Sequence, residues 1–222
     1  MTRLPGERLD RRRGAPGDED ATGSADGPLV GVLALQGDVL EHTRALAAVG
    51  LRTTPVRSVG TLAEVDGLVL PGGESTAISR ALERAGLAGP LAARVRDGLP
   101  VLGTCAGLIL LSDELVDDEG LPRPGGLAVR TRRNAYGPQT ASFDARFDVA
   151  GVEGGPMEAS FIRAPVIEAV LDPAVEVLAS VDGRPVAVQQ GRLLAMTFHP
   201  EVSGDHRLHA RFAAIVRDPV AR

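Results

Sequence analysis

The sequence predicts an α/β fold: a doubly wound, mostly parallel sheet flanked by helices, with an antiparallel β-rich insertion in its second half. Three observations predict it. Short continuous aliphatic runs recur between helix-like segments, the pattern of strands buried on both faces. Several of these runs end directly in small-residue turns that open a helix, as at Pro71-Gly72-Gly73. The composition, 44% hydrophobic and 24% charged over 222 residues, is that of one globular unit with a sizeable core.

Residues 1 to 28 hold eight Gly and Pro, mixed charges and few large apolar side chains, so they are expected to form a disordered tail. A first strand is expected over Leu29 to Leu35, followed by a helix from Val39, capped by Asp38, that stops at Gly50. Leu51 to Val56 reads as a second strand, and Thr61 with Glu64 has capping-box spacing for a short helix. Gly67 to Leu70 is a third strand, followed by helices over about Ser75 to Ala85 and Leu91 to Asp97. Pro100 to Thr104 leads through Cys105 into an apolar helix that runs through Leu111. Beyond Gly126 the runs are short and β-rich: Leu127 to Thr131, Phe161 to Arg163, Val175 to Val181, Val186 to Gln189 and Leu193 to Phe198. A last helix, Asp205 to Arg217, closes the fold.

The formal charge of −5 and the 3% aromatic content give neither a basic footprint nor a stacking platform, so nucleic acid is not an expected partner. No apolar run approaches the roughly 20 residues of a membrane helix, and no secretory h-region is visible, so a cytoplasmic protein is expected. Cys105 is the single cysteine, which excludes an internal disulfide and a multi-cysteine zinc site. All 24 basic residues are arginine. Without lysine the chain cannot form a side-chain Schiff base or grip phosphate as a P-loop does.

Gly103-Thr104-Cys105-Ala106-Gly107 has the form of a nucleophile elbow between a buried strand and a helix. Small residues on both sides of such a nucleophile prevent collisions at the strained turn, and the amino end of the helix favours the anionic form of the nucleophile. A cysteine nucleophile needs a base. Of His42, His199, His206 and His209, only His199 ends a predicted strand, in Thr197-Phe198-His199-Pro200-Glu201. If that segment is extended, His199 and Glu201 project to one side, and the carboxylate can orient the ring while Cys105 meets its other nitrogen. His206 and His209 stand at helical i, i+3 spacing, but nothing completes a ligand set, so a solvated helix face is expected and no metal site. Pro71-Gly72-Gly73-Glu74-Ser75-Thr76 offers backbone N–H groups for an oxyanion hole, with Gly73 joined by the N–H of Ala106. Taken alone, that segment reads as a plain helix cap in which Ser75 or Thr76 satisfies backbone donors.

Together these residues resemble the class I, triad-type glutamine amidotransferases, and within them the glutaminase subunits of pyridoxal 5'-phosphate synthases. Beyond the shared elbow, glycine turn and His-Pro-Glu segment, the narrower resemblance rests on Leu35-Gln36-Gly37-Asp38 with Glu41-His42, on Gly72 to Thr76, on Arg133-Asn134-Ala135-Tyr136-Gly137 and on Phe161 to Pro165. It runs from about Leu29 to Arg217 and implies a flavodoxin-like glutaminase domain over residues 29–218. It implies hydrolysis of L-glutamine to L-glutamate and ammonia, with Cys105 as nucleophile, His199 as base and then acid, and Glu201 as orienter. Gly73, Glu74, Ser75, Arg133, Ile162 and Arg163 would bind glutamine; no cofactor is implied. The ammonia would pass to a separate synthase subunit in a hetero-oligomeric complex for vitamin B6 biosynthesis, and the imine chemistry would belong to that subunit, which suits a lysine-free chain. The family pattern reads Arg-Asn-Ala-[Phe/Tyr]-Gly-Arg-Gln, whereas Pro138 precedes Gln139 here, and residues 1 to 28 lie outside the pattern. Rival readings are a free-standing γ-glutamyl hydrolase or cysteine peptidase, an amidotransferase subunit of another pathway, and a catalytically silent scaffold.

Overall fold

The computed structural model describes residues 27–116, 118, 120–133 and 142–219. The expected tail, except for Gly27 and Pro28, and the segment from Asn134 to Gln139 with its Pro138 departure lie outside the described residues.

Alternation of small and branched apolar residues builds a seven-stranded sheet. Its parallel strands are β1 (Leu29–Leu33), β2 (Arg52–Val56), β3 (Gly67–Leu70), β4 (Val101–Thr104) and β12 (Leu193–Met196), in the spatial order β2-β1-β3-β4-β12. Successive side chains face opposite sides, so each strand feeds two cores. Leu68 and Leu70 of β3 enter one core with Val101 and Ala195, while Val69 enters the other with Leu102, Leu194 and Met196. Helices α2 (Val59–Glu64), α3 (Ser75–Arg84), α4 (Ala88–Arg96) and α5 (Ala106–Leu111) bury their apolar faces in the first core. Leu46 of α1 (Val39–Ala48) and Leu208, Phe212 and Val216 of α7 (Arg207–Arg217) fill the second. The doubly wound expectation is thus met strand by strand.

The second half is distributed over three places. Strands β10 (Glu176–Val181) and β11 (Arg184–Gln190) continue antiparallel from β12 and form the sheet's outer edge. Strands β5 (Ser112–Leu115), β6 (Leu127–Arg132) and β9 (Val166–Val170) make a three-stranded sheet in which β5 and β6 run parallel. An antiparallel pair, β7 (Ser142–Phe147) and β8 (Met157–Ile162), stacks Phe143 on Phe161 at 4.6 Å. The four-residue α6 (Pro200–Ser203) completes the order.

Asp38 precedes α1 without making a side-chain cap hydrogen bond, and one expected helix start is corrected. The second helix does not start at Thr61; it begins at Val59, where Ser58 Oγ accepts a hydrogen bond from Thr61 N at 3.3 Å. Ser58 in extended backbone is the cap, and Thr61 is the third residue of the helix, within its first turn.

Candidate active site

The loops after β1, β3, β4 and β12 leave the same carboxyl edge of the parallel strands, where an open α/β sheet places its ligands. Cys105 joins β4 to α5 with φ 48° and ψ −99°, a left-handed conformation costly for a residue with a side chain. Its N–H donates to Met196 O at 2.9 Å, so the neighbouring strand holds the turn. The flanking glycines are required by contact. A Cβ on Gly103 would lie 2.8 Å from Gly107 C, and one on Gly107 would lie 2.0 Å from Leu70 O.

His199 is delivered by the end of β12 and pinned from the other side by a hydrogen bond from its N–H to Ser160 O. Its Nδ1 stands 2.8 Å from Glu201 Oε1 and 3.4 Å from Asp38 Oδ2. The route differs from the expected extended segment. Pro200 takes the first helical position of α6, and Glu201 reaches back from that helical turn. Burial lowers the basicity of His199, but hydrogen bonds with Cys105 and Glu201 and their charges outweigh it and raise its pKa to about 10. Burial of Glu201 acts upward and is outweighed by His42 and His199, so its carboxyl titrates well below the usual range. Burial raises the Asp38 pKa, with the charge of His199 opposing and that of Glu201 adding. The donor atoms of Asp38, His199 and Glu201 lie within 4.8 Å of one another, the spacing of a metal-ligand set. The Nδ1 proton of His199 by itself accounts for the approach of both carboxylates.

A cleft of about 500 Å³ opens over Cys105 and His199. It is lined by all six expected glutamine-binding residues: Gly73, Glu74, Ser75, Arg133, Ile162 and Arg163. Gly73 has φ +149°, and a Cβ there would lie 2.5 Å from Gln36 Oε1, which also accepts from Glu74 N at 3.0 Å. Gln36 therefore braces the turn from the β1 loop. Ala106 is buried as the first residue of α5, directly after Cys105. Arg133 donates from Nη1 to Thr76 Oγ1 at 3.0 Å, which sets its guanidinium against α3. Arg163 holds a φ of 46°, the same left-handed region as Cys105.

The cap of α3 comes from a different residue than the plain-cap reading supplied. Glu74 accepts from Thr76 N at 2.8 Å and Ala77 N at 2.7 Å, one through each carboxylate oxygen, while Ser75 and Thr76 are already helical. Burial nudges the Glu74 pKa up, but those two backbone donors prevail and lower it. Glu74 thus caps the helix and presents negative charge to the cleft.

A second correction concerns His209, expected on a solvated face. It is fully buried, with Nε2 3.1 Å from His42 Nδ1. Burial first, and the facing His42 second, lower its pKa to about 3, so it is neutral. Sequence reasoning gave Asp38, Thr104 and His42 no part in the triad or the glutamine pocket, although Gln36, Asp38 and His42 stand in the motifs that carry the family resemblance. The loop Gln36-Gly37-Asp38 carried a signal, since it follows a parallel strand at the functional edge. His42 carried one as part of Glu41-His42 in the family motif and in its i+4 spacing from Asp38.

A buried nucleophile elbow, a histidine held by a carboxylate and a glycine turn at the carboxyl edge of this sheet are together the arrangement of a triad glutamine amidotransferase. The chain belongs to the SNO glutamine amidotransferase family, whose model matches residues 32–218. It is 57% identical over 194 residues to a Streptomyces coelicolor protein named pyridoxal 5'-phosphate synthase subunit PdxT, covering 87% of this chain and 96% of that one. A protein of the same name from Clavibacter michiganensis is 55% identical, with 87% and 93% covered. A crystal structure of a glutamine amidotransferase superposes with a TM-score of 0.79 at 43% identity, covering 84% of this chain and 98% of that one. The structure of PurLQS from Thermotoga maritima, at 17% identity and a TM-score of 0.58, shares the fold.

Proposed function

We propose that this chain is the glutaminase subunit of a pyridoxal 5'-phosphate synthase, hydrolysing L-glutamine to L-glutamate and ammonia for a separate synthase subunit. The observation that carries the reading is the meeting of Cys105, His199 and Glu201 at one end of a cleft lined by two arginines and a glutamate. In this mechanism the Cys105 sulfur attacks the side-chain amide carbon. The oxyanion is received by the backbone N–H groups of Gly73 and Ala106. Imidazolium His199 gives its proton to the departing nitrogen, leaving a thioester and releasing ammonia. His199, now neutral, takes a proton from water as it attacks the thioester, which frees glutamate and restores the sulfur anion beside imidazolium His199. Glu201 fixes the ring and stabilises its charged form.

Arg133 and Arg163 suit the free carboxylate of an amino acid, because a guanidinium meets a carboxylate through two parallel donors. Glu74 suits its ammonium group. The close relatives' name supports a synthase partner in a hetero-oligomeric complex. The lysine-free composition fits a division of labour in which the partner supplies every imine-forming amine. Among the described residues no helix is long and apolar enough to cross a membrane, which is consistent with the expected cytoplasmic setting.

The test is glutamate release from glutamine, measured with and without the synthase subunit. Release that rises strongly on adding the synthase supports the subunit reading. An unchanged rate would favour a free-standing hydrolase, and no release in either case would sink the enzyme reading.

A further inference from the structure

We propose that His42 is a positioning residue for the triad, its Nε2–H shared between Glu201 and Thr104 so that the carboxylate behind His199 is held from a second side. The inference rests on the roles given above to Cys105, His199 and Glu201. Four elements meet in one dry polar cluster: His42 from α1, Thr104 from β4, Glu201 from α6 and His209 from α7. His42, Thr104 and His209 are each 0% exposed, and the Glu201 side chain is too. His42 Nε2 lies 3.0 Å from Thr104 Oγ1 and 3.4 Å from Glu201 Oε1, the oxygen that also receives His199 Nδ1.

The chemistry of these groups sets the direction of the bond to Glu201. An ionised carboxylate only accepts, so the nitrogen of His42 that faces Glu201 carries a proton. The other nitrogen of that ring, Nδ1, pairs with His209 Nε2 across 3.1 Å. Among the described residues His209 Nδ1 is buried without a partner. The result is a connected chain: His209 pairs with His42, His42 Nε2 faces Glu201, and His199 donates to the same carboxylate. Among the described residues Glu201 Oε2 has no partner, so one donor alone would leave the carboxylate free to turn about its axis. Two donors on Oε1 from different directions remove that freedom. Thr104 adds a tie to the nucleophile, since it precedes Cys105 directly and anchors the same imidazole.

The experiment measures glutaminase turnover in the presence of the synthase subunit. His42→Leu is expected to lower kcat about tenfold with little change in KM for glutamine, because misorientation of the base acts on the chemical step. In a Glu201→Gln background the same change is expected to cost less than about twofold, since a residue acting through Glu201 is not additive with its loss. A wild-type kcat in His42→Leu, or the full loss repeated in the Glu201→Gln background, would overturn the proposal. Should the leucine variant not fold, His42→Gln and His42→Asn decide. Gln sets its amide nitrogen near the Nε2 position and Asn near Nδ1, so Gln is expected to keep most of the rate and Asn to lose it. Equal rates would overturn the proposal. Cys105→Ala serves as the control: turnover surviving there would fail the triad reading itself, independently of His42.

Discussion

Gly72 and His199 stand so close that a Cβ on the glycine would lie 2.3 Å from the imidazole Cε1 and 2.9 Å from Nδ1. The glycine at this point of the turn is therefore a requirement of the base, separate from any role of its neighbour in holding charge. Gly72→Ala is expected to push the ring off Glu201 and lower kcat about 100-fold, the scale of an ångström-sized misplacement of a reacting group. Kinetics alongside a melting curve check it. A variant with normal kcat would show that the ring has room to spare.

Loss of the nucleophile separates chemistry from packing. Cys105→Ala or Cys105→Ser should abolish turnover while the protein still folds and still binds its synthase partner. A glutamine-like alkylating analogue should label Cys105, the only thiol. His199→Asn is expected to be nearly as damaging, and Glu201→Gln milder, because an orienting group contributes less than the groups that exchange protons. Intact mass spectrometry and steady-state assays decide both.

The pH profile carries the signature of the buried pair. His199 is held protonated up to about pH 10 by Cys105 and Glu201. Turnover should therefore fall on the alkaline side near that pH, as the imidazolium that protonates the leaving nitrogen is lost. Removing the Glu201 charge removes one of the two props, so Glu201→Gln should move the alkaline limb downward. A limb that stays put would dissociate Glu201 from the titration of His199.

Glu74 has two duties that substitution can separate. Glu74→Ala loses the cap of α3 and should cost roughly 1 kcal/mol of stability in addition to weakening glutamine binding. Glu74→Ser keeps a capping oxygen and loses only the charge, so KM should rise with stability nearly unchanged. Arg133→Lys and Arg163→Lys should likewise act mainly on KM. Denaturant titrations paired with KM measurements test the division.

His209 predicts a weakness in acid. Its pKa is near 3 when folded and near the ordinary 6.5 when unfolded, so the unfolded chain binds the extra proton between those values. This contribution to stability is full above about pH 6.5 and falls away as pH drops toward 3. His209→Gln should flatten that part of the stability curve, measured by urea midpoints from pH 7 to pH 4. An equally steep fall would assign the acid sensitivity elsewhere.

Much of this was legible because it was local. The strands Gly67–Leu70 and Val101–Thr104, the elbow at Cys105 and the strand-end His199 each announce themselves within a few residues. Elements half exposed or very short did not. Ser112–Leu115 has two exposed residues of four, and Ser142–Phe147 places charged Asp144 and Arg146 on its outer face, so neither shows a run of apolar residues. The buried polar cluster was hidden for another reason. His42 and His209 are 167 positions apart, and nothing local links the motif residue His42 to His209, which reads as an ordinary surface histidine until the fold brings them together. Glycines 72 and 107 were visible as motif letters, but their reasons, an imidazole and a carbonyl from distant segments, were not.

The contact between Gly107 and Leu70 has a mechanical consequence. Leu70 is the last residue of β3, directly before the turn that carries Gly73, and Gly107 lies two residues beyond Cys105. With a Cβ at Gly107 destined to lie 2.0 Å from the Leu70 carbonyl oxygen, the two segments rest main chain against main chain. Their contact works as a hard stop that gauges the gap between the sulfur and the turn. Side chains can shrink, swell or swap beyond Cβ in the layers on either side of the sheet without resetting that gauge, because main-chain atoms make its nearest contacts. The spacing on which the reaction depends is thus insulated from drift in the core, and its single point of failure is one hydrogen atom on Gly107.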